Sequence, residues 1–178
     1  MSADNTALQG LQELQGLQEL LDKQACQELL TRYSRALDWV DEEALKTVFF
    51  PDAEIDYGFF KGRGDEFIPV VIELEQGFLR RWHNNGTPLI KMAGDVAEAE
   101  SYGMAAAVSE QDGQTLTSIF GGRYFDRLER RDGAWGIAKR MYLLDWHRSF
   151  EMDSATEAVP GLNWLDGASP DHPLYRRL

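Results

Sequence analysis

Few side chains in this 178-residue sequence can move protons near neutral pH, and they are widely spaced. There are three histidines: His83, His147 and His172. No two stand at H-x-H or H-x-x-x-H spacing and there is no C-x-x-C, so no metal site is expected. G-x-S-x-G, a P-loop and a G-x-G-x-x-G that opens a helix are also missing, which argues against several large enzyme classes. His83, in Arg80-Arg-Trp-His-Asn-Asn-Gly86, is a candidate general base, although a lone histidine in a loop more often makes only a hydrogen bond. Asp38 ends a helical pattern, where the helix dipole disfavours a carboxylate. It falls off the apolar stripe, so a solvated helix end is the plain alternative. Tyr33 lies on that stripe; its hydroxyl reaches a cavity if one is present, and otherwise the ring packs in the core. Arg140 shares a strand face with Ala138, Tyr142, Leu144 and Trp146. Ile137, Lys139, Met141, Leu143 and Asp145 form the other face, and both are mixed. If the first is inward, Arg140 is a buried cation and needs a carboxylate or ligand partner.

The elements that must position these groups follow from periodicity. Leu8-Gln-Gly-Leu-Gln-Glu and Leu14-Gln-Gly-Leu-Gln-Glu are two copies of a six-residue unit, each with a glycine, and read as a frayed helical extension. From about Leu17 to Trp39 the pattern is helical, with Cys26, Leu29, Leu30, Tyr33 and Leu37 on one stripe and a break at Val40. Asp41 caps a short second helix, Ala53 to Phe60 reads as a strand, and Asp65 caps a third helix running to about Arg80. The period then changes to two. Leu89–Met92, Val96–Ser109, Thr115–Leu128 and Ala134 to about His147 read as strands joined by Gly94-Asp95, Asp112-Gly113 and Asp132-Gly133 turns. One face of the second of these strands is small throughout, from Ala97 to Ser109, which either admits a close helix or leaves open volume. Helices followed by a meander predict an α+β domain: a strongly curved antiparallel sheet closed into a cone, with three helices from the N-terminal half on its concave face. The organisation expected is a flexible extension over 1–16, the cone over 17–150 and an irregular arm over 151–178.

A hydrophobic fraction of 43% and a charged fraction of 27% fit one globular domain. The net charge of −12 opposes nucleic acid and anionic membranes as partners. The single cysteine, Cys26, excludes an internal disulfide. With no secretory leader in the opening residues and no long apolar run, it predicts a cytoplasmic protein. Five Trp, six Tyr and nine Phe would suit an aromatic-lined cavity, although a large aromatic core is the simpler use for them.

Several stretches together resemble the SnoaL-like family of the nuclear-transport-factor-2-like superfamily. They are Tyr33-Ser-Arg-Ala-Leu-Asp38 with Asp41, Leu45, Phe49 and Asp52-Ala53; His83 followed eleven residues on by Gly94-Asp95-Val-Ala97; and Gly121-Gly-Arg-Tyr124, Asp126, Arg131-Asp-Gly-Ala-Trp135, Ile137 and Arg140. The resemblance spans roughly residues 20 to 150. That family holds scytalone dehydratase, a hexachlorocyclohexane dehydrochlorinase, bile-acid dehydratase, polyketide cyclases and the largely structural β subunits of ring-hydroxylating dioxygenases. It implies an Asp38–His83 dyad, with Tyr33 and Arg140 assisting the departing group. Tyr33 stands where the dehydrochlorinase has a lysine, which argues against chloride elimination. The implied function is a cofactor-free dehydratase-type lyase acting on a cyclic or polycyclic apolar molecule. The same groups would serve an isomerase or cyclase, and a ligand-binding protein or an oxygenase subunit is the non-catalytic alternative. Tyr57, Trp82, Tyr142 and Trp146 are expected to line the pocket, and a homotrimer or homodimer is expected.

Overall fold

The computed structural model describes residues 3–151, 160–165 and 167–178, with side chains from residue 8 onward. The boundary of the expected C-terminal arm thus runs into 152–159, outside the described residues, as do 1, 2 and 166. Within the described residues there are three helices, α1 (Ala3–Trp39), α2 (Glu42–Lys46) and α3 (Gly64–Gln76), and seven strands, β1 (Phe49–Asp56), β2 (Lys61–Arg63), β3 (Arg80–Asn85), β4 (Leu89–Ala93), β5 (Val96–Gln111), β6 (Gln114–Arg131) and β7 (Ala134–Glu151), with α3 between β2 and β3. One curled sheet holds all seven in the order β2-β1-β7-β6-β5-β3, with β4 also on β5. The α+β architecture agrees with the sequence reading. The sheet is mixed, however, because β1 pairs in parallel with β7 at Ile55–Arg140.

α1 is continuous through the glycine-containing repeat, where Leu8, Leu11, Leu14 and Leu17 are exposed. Its far end stops sharply. The Asp41 N–H donates to the Ala36 carbonyl at 2.8 Å and the Val40 N–H to Leu37 at 3.1 Å, closing the last turn with the paired bonds of a Schellman cap. That cap needs a left-handed residue, and Val40 takes it at φ 53°. For a β-branched side chain this costs on the order of 1–3 kcal/mol. Asp41 then caps α2 by accepting from the Ala44 N–H at 2.9 Å. The turn is therefore held from both sides, and with it the orientation of Asp38 two residues earlier.

The core packs Cys26, Leu29, Leu30, Tyr33 and Leu37 of α1 and Phe67, Ile68, Val71 and Ile72 of α3 against Ala97 and Ala99 of β5 and Leu128 and Ile137 of the long hairpin. The small-residue row on β5 divides its roles. Ala97, Ala99 and Ser101 are buried, whereas Ala105 and Ala107 line open volume. Between them a Cβ on Gly103 would stand 2.5 Å from the Tyr124 ring, so glycine there lets that tyrosine lie flat on the strand.

Candidate functional site

β3 was expected to be a loop and is the edge strand of the sheet, paired on one side with β5 at His83–Ala105. An edge strand leaves backbone donors unpaired, and α1 takes up one of them, the His83 N–H. Asp38 Oδ2 accepts from the His83 backbone N–H at 3.2 Å, while Asp38 Oδ1 lies 2.8 Å from His83 Nδ1. Asn85 Nδ2 donates to the Leu30 carbonyl, and Arg81 donates from Nε to the Asp38 carbonyl and from Nη1 to those of Glu75 and Phe78. Both oxygens of Asp38 are thus committed to one residue, which accounts for a carboxylate in a helix position the dipole disfavours. The His83 side chain is 12% exposed and that of Asp38 24%.

With Nδ1 engaged by the carboxylate, Nε2 is the ring nitrogen free to act. It belongs to a cavity of about 140 Å³ lined chiefly by Leu37, Val71, Leu74, Phe78, Ala105, Ala107 and Phe120, with Tyr33, Tyr57, Tyr124 and Tyr142 as its phenols. A dry apolar space of about 150 Å³ accepts one benzene ring. The phenols form a cluster, with the Tyr33 and Tyr57 hydroxyls 2.6 Å apart and the Tyr57 ring stacked on Tyr142. Burial raises the pKa of both Tyr33 and Tyr57, so they are neutral donors rather than phenolates at neutral pH.

Arg140 is fully buried, and its inward face is settled by its cross-strand neighbour on β6. Asp126 accepts from Nε at 2.7 Å and from Nη2 at 2.8 Å, a bidentate pair. Tyr33 and Tyr124 cover the guanidinium at 4.2 and 4.6 Å. Burial works against its charge, but Asp126 together with Tyr57 and Tyr33 outweighs that and holds its pKa above the ordinary value. The cation expected to touch a ligand therefore lies behind the tyrosines, away from the His83 cavity.

Two further expectations need correction. Tyr57 and Tyr142 line the cavity, but Trp82 and Trp146 lie across the sheet in an outer groove of about 350 Å³ with Tyr102, Met104 and Asp145. Trp82 precedes His83 on a strand, so if one points in the other points out. Trp146 would share the inward face of Tyr142 on a regular strand. A register shift pairs Leu144 with Gly122 but Trp146 with Gly121, which turns Trp146 to the other face. Glu75, in the last turn of α3, was missed. It is 4% exposed, lines the cavity and sets Oε1 3.6 Å from His83 Nε2. A signal existed: with Phe67, Ile68, Val71 and Ile72, Glu75 completes the apolar stripe of α3, an unusual place for an acid. Cys26 is no nucleophile, since burial pushes its thiol up to about 12. Among the described residues no three or more His, Cys, Asp or Glu side chains are grouped to hold a metal ion. No described helix is long and apolar enough to cross a membrane.

A SnoaL-like domain model matches residues 18–141. No curated protein matches the chain significantly. Solved structures do. A candidate scytalone dehydratase of Novosphingobium aromaticivorans is 21% identical at a TM-score of 0.66, the match covering 79% of this chain and 97% of that one. A hexachlorocyclohexane dehydrochlorinase of Novosphingobium barchaimii is 17% identical at 0.69, covering 82% and 99%. A nuclear-transport-factor-2-like superfamily protein of Salmonella enterica is 21% identical at 0.63, covering 77% and 96%. At these identities the likeness is one of fold.

Proposed function

The chain belongs to the SnoaL-like domain family, and from that premise we propose that it is a lyase that removes water from a small apolar ring compound, with the Asp38–His83 pair as its base. The observation that carries this reading is the division of labour on one imidazole: Nδ1 is held by Asp38 at 2.8 Å, and Nε2 faces a largely apolar cavity in which Glu75 Oε1 stands 3.6 Å away. Taking a proton from carbon needs a base that titrates near neutrality. Imidazole is such a base, and a carboxylate on its other nitrogen fixes the tautomer and stabilises the imidazolium formed. Charge developing on a substrate oxygen would be met by the Tyr33 and Tyr57 hydroxyls, with Arg140 behind them lowering the cost of that charge. The chemistry calls on no metal or organic cofactor. The cavity's size favours one ring over a polycyclic skeleton, and the two neighbouring phenol donors favour a substrate with a carbonyl or hydroxyl on that ring.

The purified chain should convert at least one member of a panel of monocyclic β-hydroxy ketones and hydroxylated aromatic-ring precursors to the unsaturated product, with chelator present and nothing added. Compounds that raise the melting temperature without turning over would favour a binding role instead.

Self-association is the second part of the proposal. Trp82, Tyr102, Met104 and Trp146 are all exposed on the outer groove, and such a patch is expected to be covered. Light scattering at micromolar concentration should give a trimer or dimer; a monomer would contradict it.

A further inference from the structure

The fold of α3 carries a buried acid that the dyad alone does not use. Glu75 Oε1 lies 3.6 Å from His83 Nε2, the nitrogen assigned to the substrate proton. Its other oxygen, Oε2, is buried with no hydrogen-bond partner. Leaving a buried carboxyl oxygen unsatisfied is costly. Arg81 donates to the Glu75 backbone carbonyl and makes no hydrogen bond to its carboxyl. A structural acid would be paired; this one is aimed into the cavity beside the base.

We propose, resting on the lyase reading above, that Glu75 is the site's second proton-transfer group, the acid that protonates the departing oxygen and is then recharged by His83. The step balances. The substrate C–H bond breaks and its proton passes to His83 Nε2, while the electron pair forms the new C=C bond. The C–O bond breaks with its pair on oxygen, which takes the proton of the Glu75 carboxyl and leaves as water. The site then holds an imidazolium and a carboxylate side by side. Transfer of the Nε2 proton to Glu75 restores the neutral imidazole and the carboxylic acid with no exchange with bulk water. A base and an acid on one side of the ring make the elimination a syn process.

The electrostatics agree with a carboxyl able to hold a proton. Burial raises the Glu75 pKa and Asp38 adds to this, while His83 and Arg81 work in the opposite direction without cancelling it. The charged groups facing it are Asp38 from α1 and Arg81 and His83 from β3; the cavity's other titratable groups are the four tyrosines.

The first part of the test needs no substrate. The full chain, with ¹³C-labelled glutamate and ¹⁵N-labelled histidine, is titrated by NMR as wild type and as Glu75→Gln and His83→Ala. One glutamate carboxyl, absent in Glu75→Gln, should titrate above the ordinary value of about 4.3, and His83 Nε2 should shift over the same pH interval. His83→Ala should move that carboxyl further up, because the ring that lowers it is gone; this arm holds even if Glu75→Gln fails to fold. With a turned-over panel compound, Glu75→Gln should lose about 10²-fold in rate with hydroxide as leaving group, and the wild-type rate should fall as pH rises through the same carboxyl. A Glu75 carboxyl that titrates in the ordinary range, or that leaves His83 Nε2 unmoved, overturns the proposal even if the protein is a lyase. Coupled titration without turnover of any compound would instead sink the lyase reading and the leaving-group step with it.

Discussion

Replacing His83 with alanine is expected to cut elimination to a small residual rate, and Asp38→Asn to slow it by about 10²–10⁴-fold. The two losses have different origins. Alanine removes the nitrogen that receives the proton. Asparagine keeps the shape and can still accept from the His83 backbone N–H, but it loses the charge that stabilises the imidazolium, and its amide can present N–H instead of oxygen to Nδ1. The ring would then be turned to the tautomer with the proton on Nε2, which cannot act as base. Both variants should retain the wild-type melting temperature within a few degrees, since neither residue is a member of the main hydrophobic core. A loss of activity that followed a loss of fold would not count for the dyad. Steady-state rates on a panel compound, read beside circular dichroism, separate the two.

The largest effect on stability is expected at Asp126. Removing the carboxylate by Asp126→Ala leaves the fully buried Arg140 guanidinium with no partner for Nε or Nη2. Breaking a buried pair on one side costs about 3–5 kcal/mol, because the surviving charge keeps its desolvation penalty. Replacing both partners by apolar residues, as in Arg140→Met with Asp126→Leu, removes that penalty and should recover most of the loss. Urea unfolding midpoints for the single and double variants decide it. If Asp126→Ala unfolds within about 1 kcal/mol of the wild type, the pair is not the internal brace described here. The double variant should bind ring compounds and yet turn them over slowly, since the tyrosines would lose the cation behind them.

Much of this was legible in the sequence, for reasons that can be located. The apolar stripe from Cys26 to Leu37, the break at Val40 and the cap at Asp41 are local signals, and the structure places a helix end at that point. The three D-G or G-D turns specify the hairpins in the same way, and Asp112 and Asp132 take the left-handed conformation there. What was not legible depends on pairing between distant segments. Arg80-Arg-Trp-His-Asn-Asn has no apolar alternation because it is an edge strand whose His83 N–H is taken by Asp38 of α1 and whose Arg81 and Asn85 side chains donate to backbone carbonyls. The parallel match of β1 to β7 has no local signature at all. Asp126 entered the sequence reading as part of the family resemblance, although Tyr124, Asp126 and Leu128 alternate onto the inward face, and that alternation could have paired it with Arg140. Trp146 was misplaced by a single bulge, which shifts every residue after it to the other side of the sheet. Glu75 was passed over because acids near a helix end are ordinary on a solvated face; its place on the buried stripe was the distinguishing feature.

The most direct test of the central claim is a double-mutant cycle on Asp38 and His83, measured as kcat/KM for a panel compound turned over by the wild type. Asp38 has no contact with substrate in this account and acts only through the imidazole. The Asp38→Asn, His83→Ala double variant should therefore be no slower than His83→Ala alone, within experimental scatter. Losses that multiply across the two sites would show Asp38 and His83 acting independently, and the dyad would have to be given up.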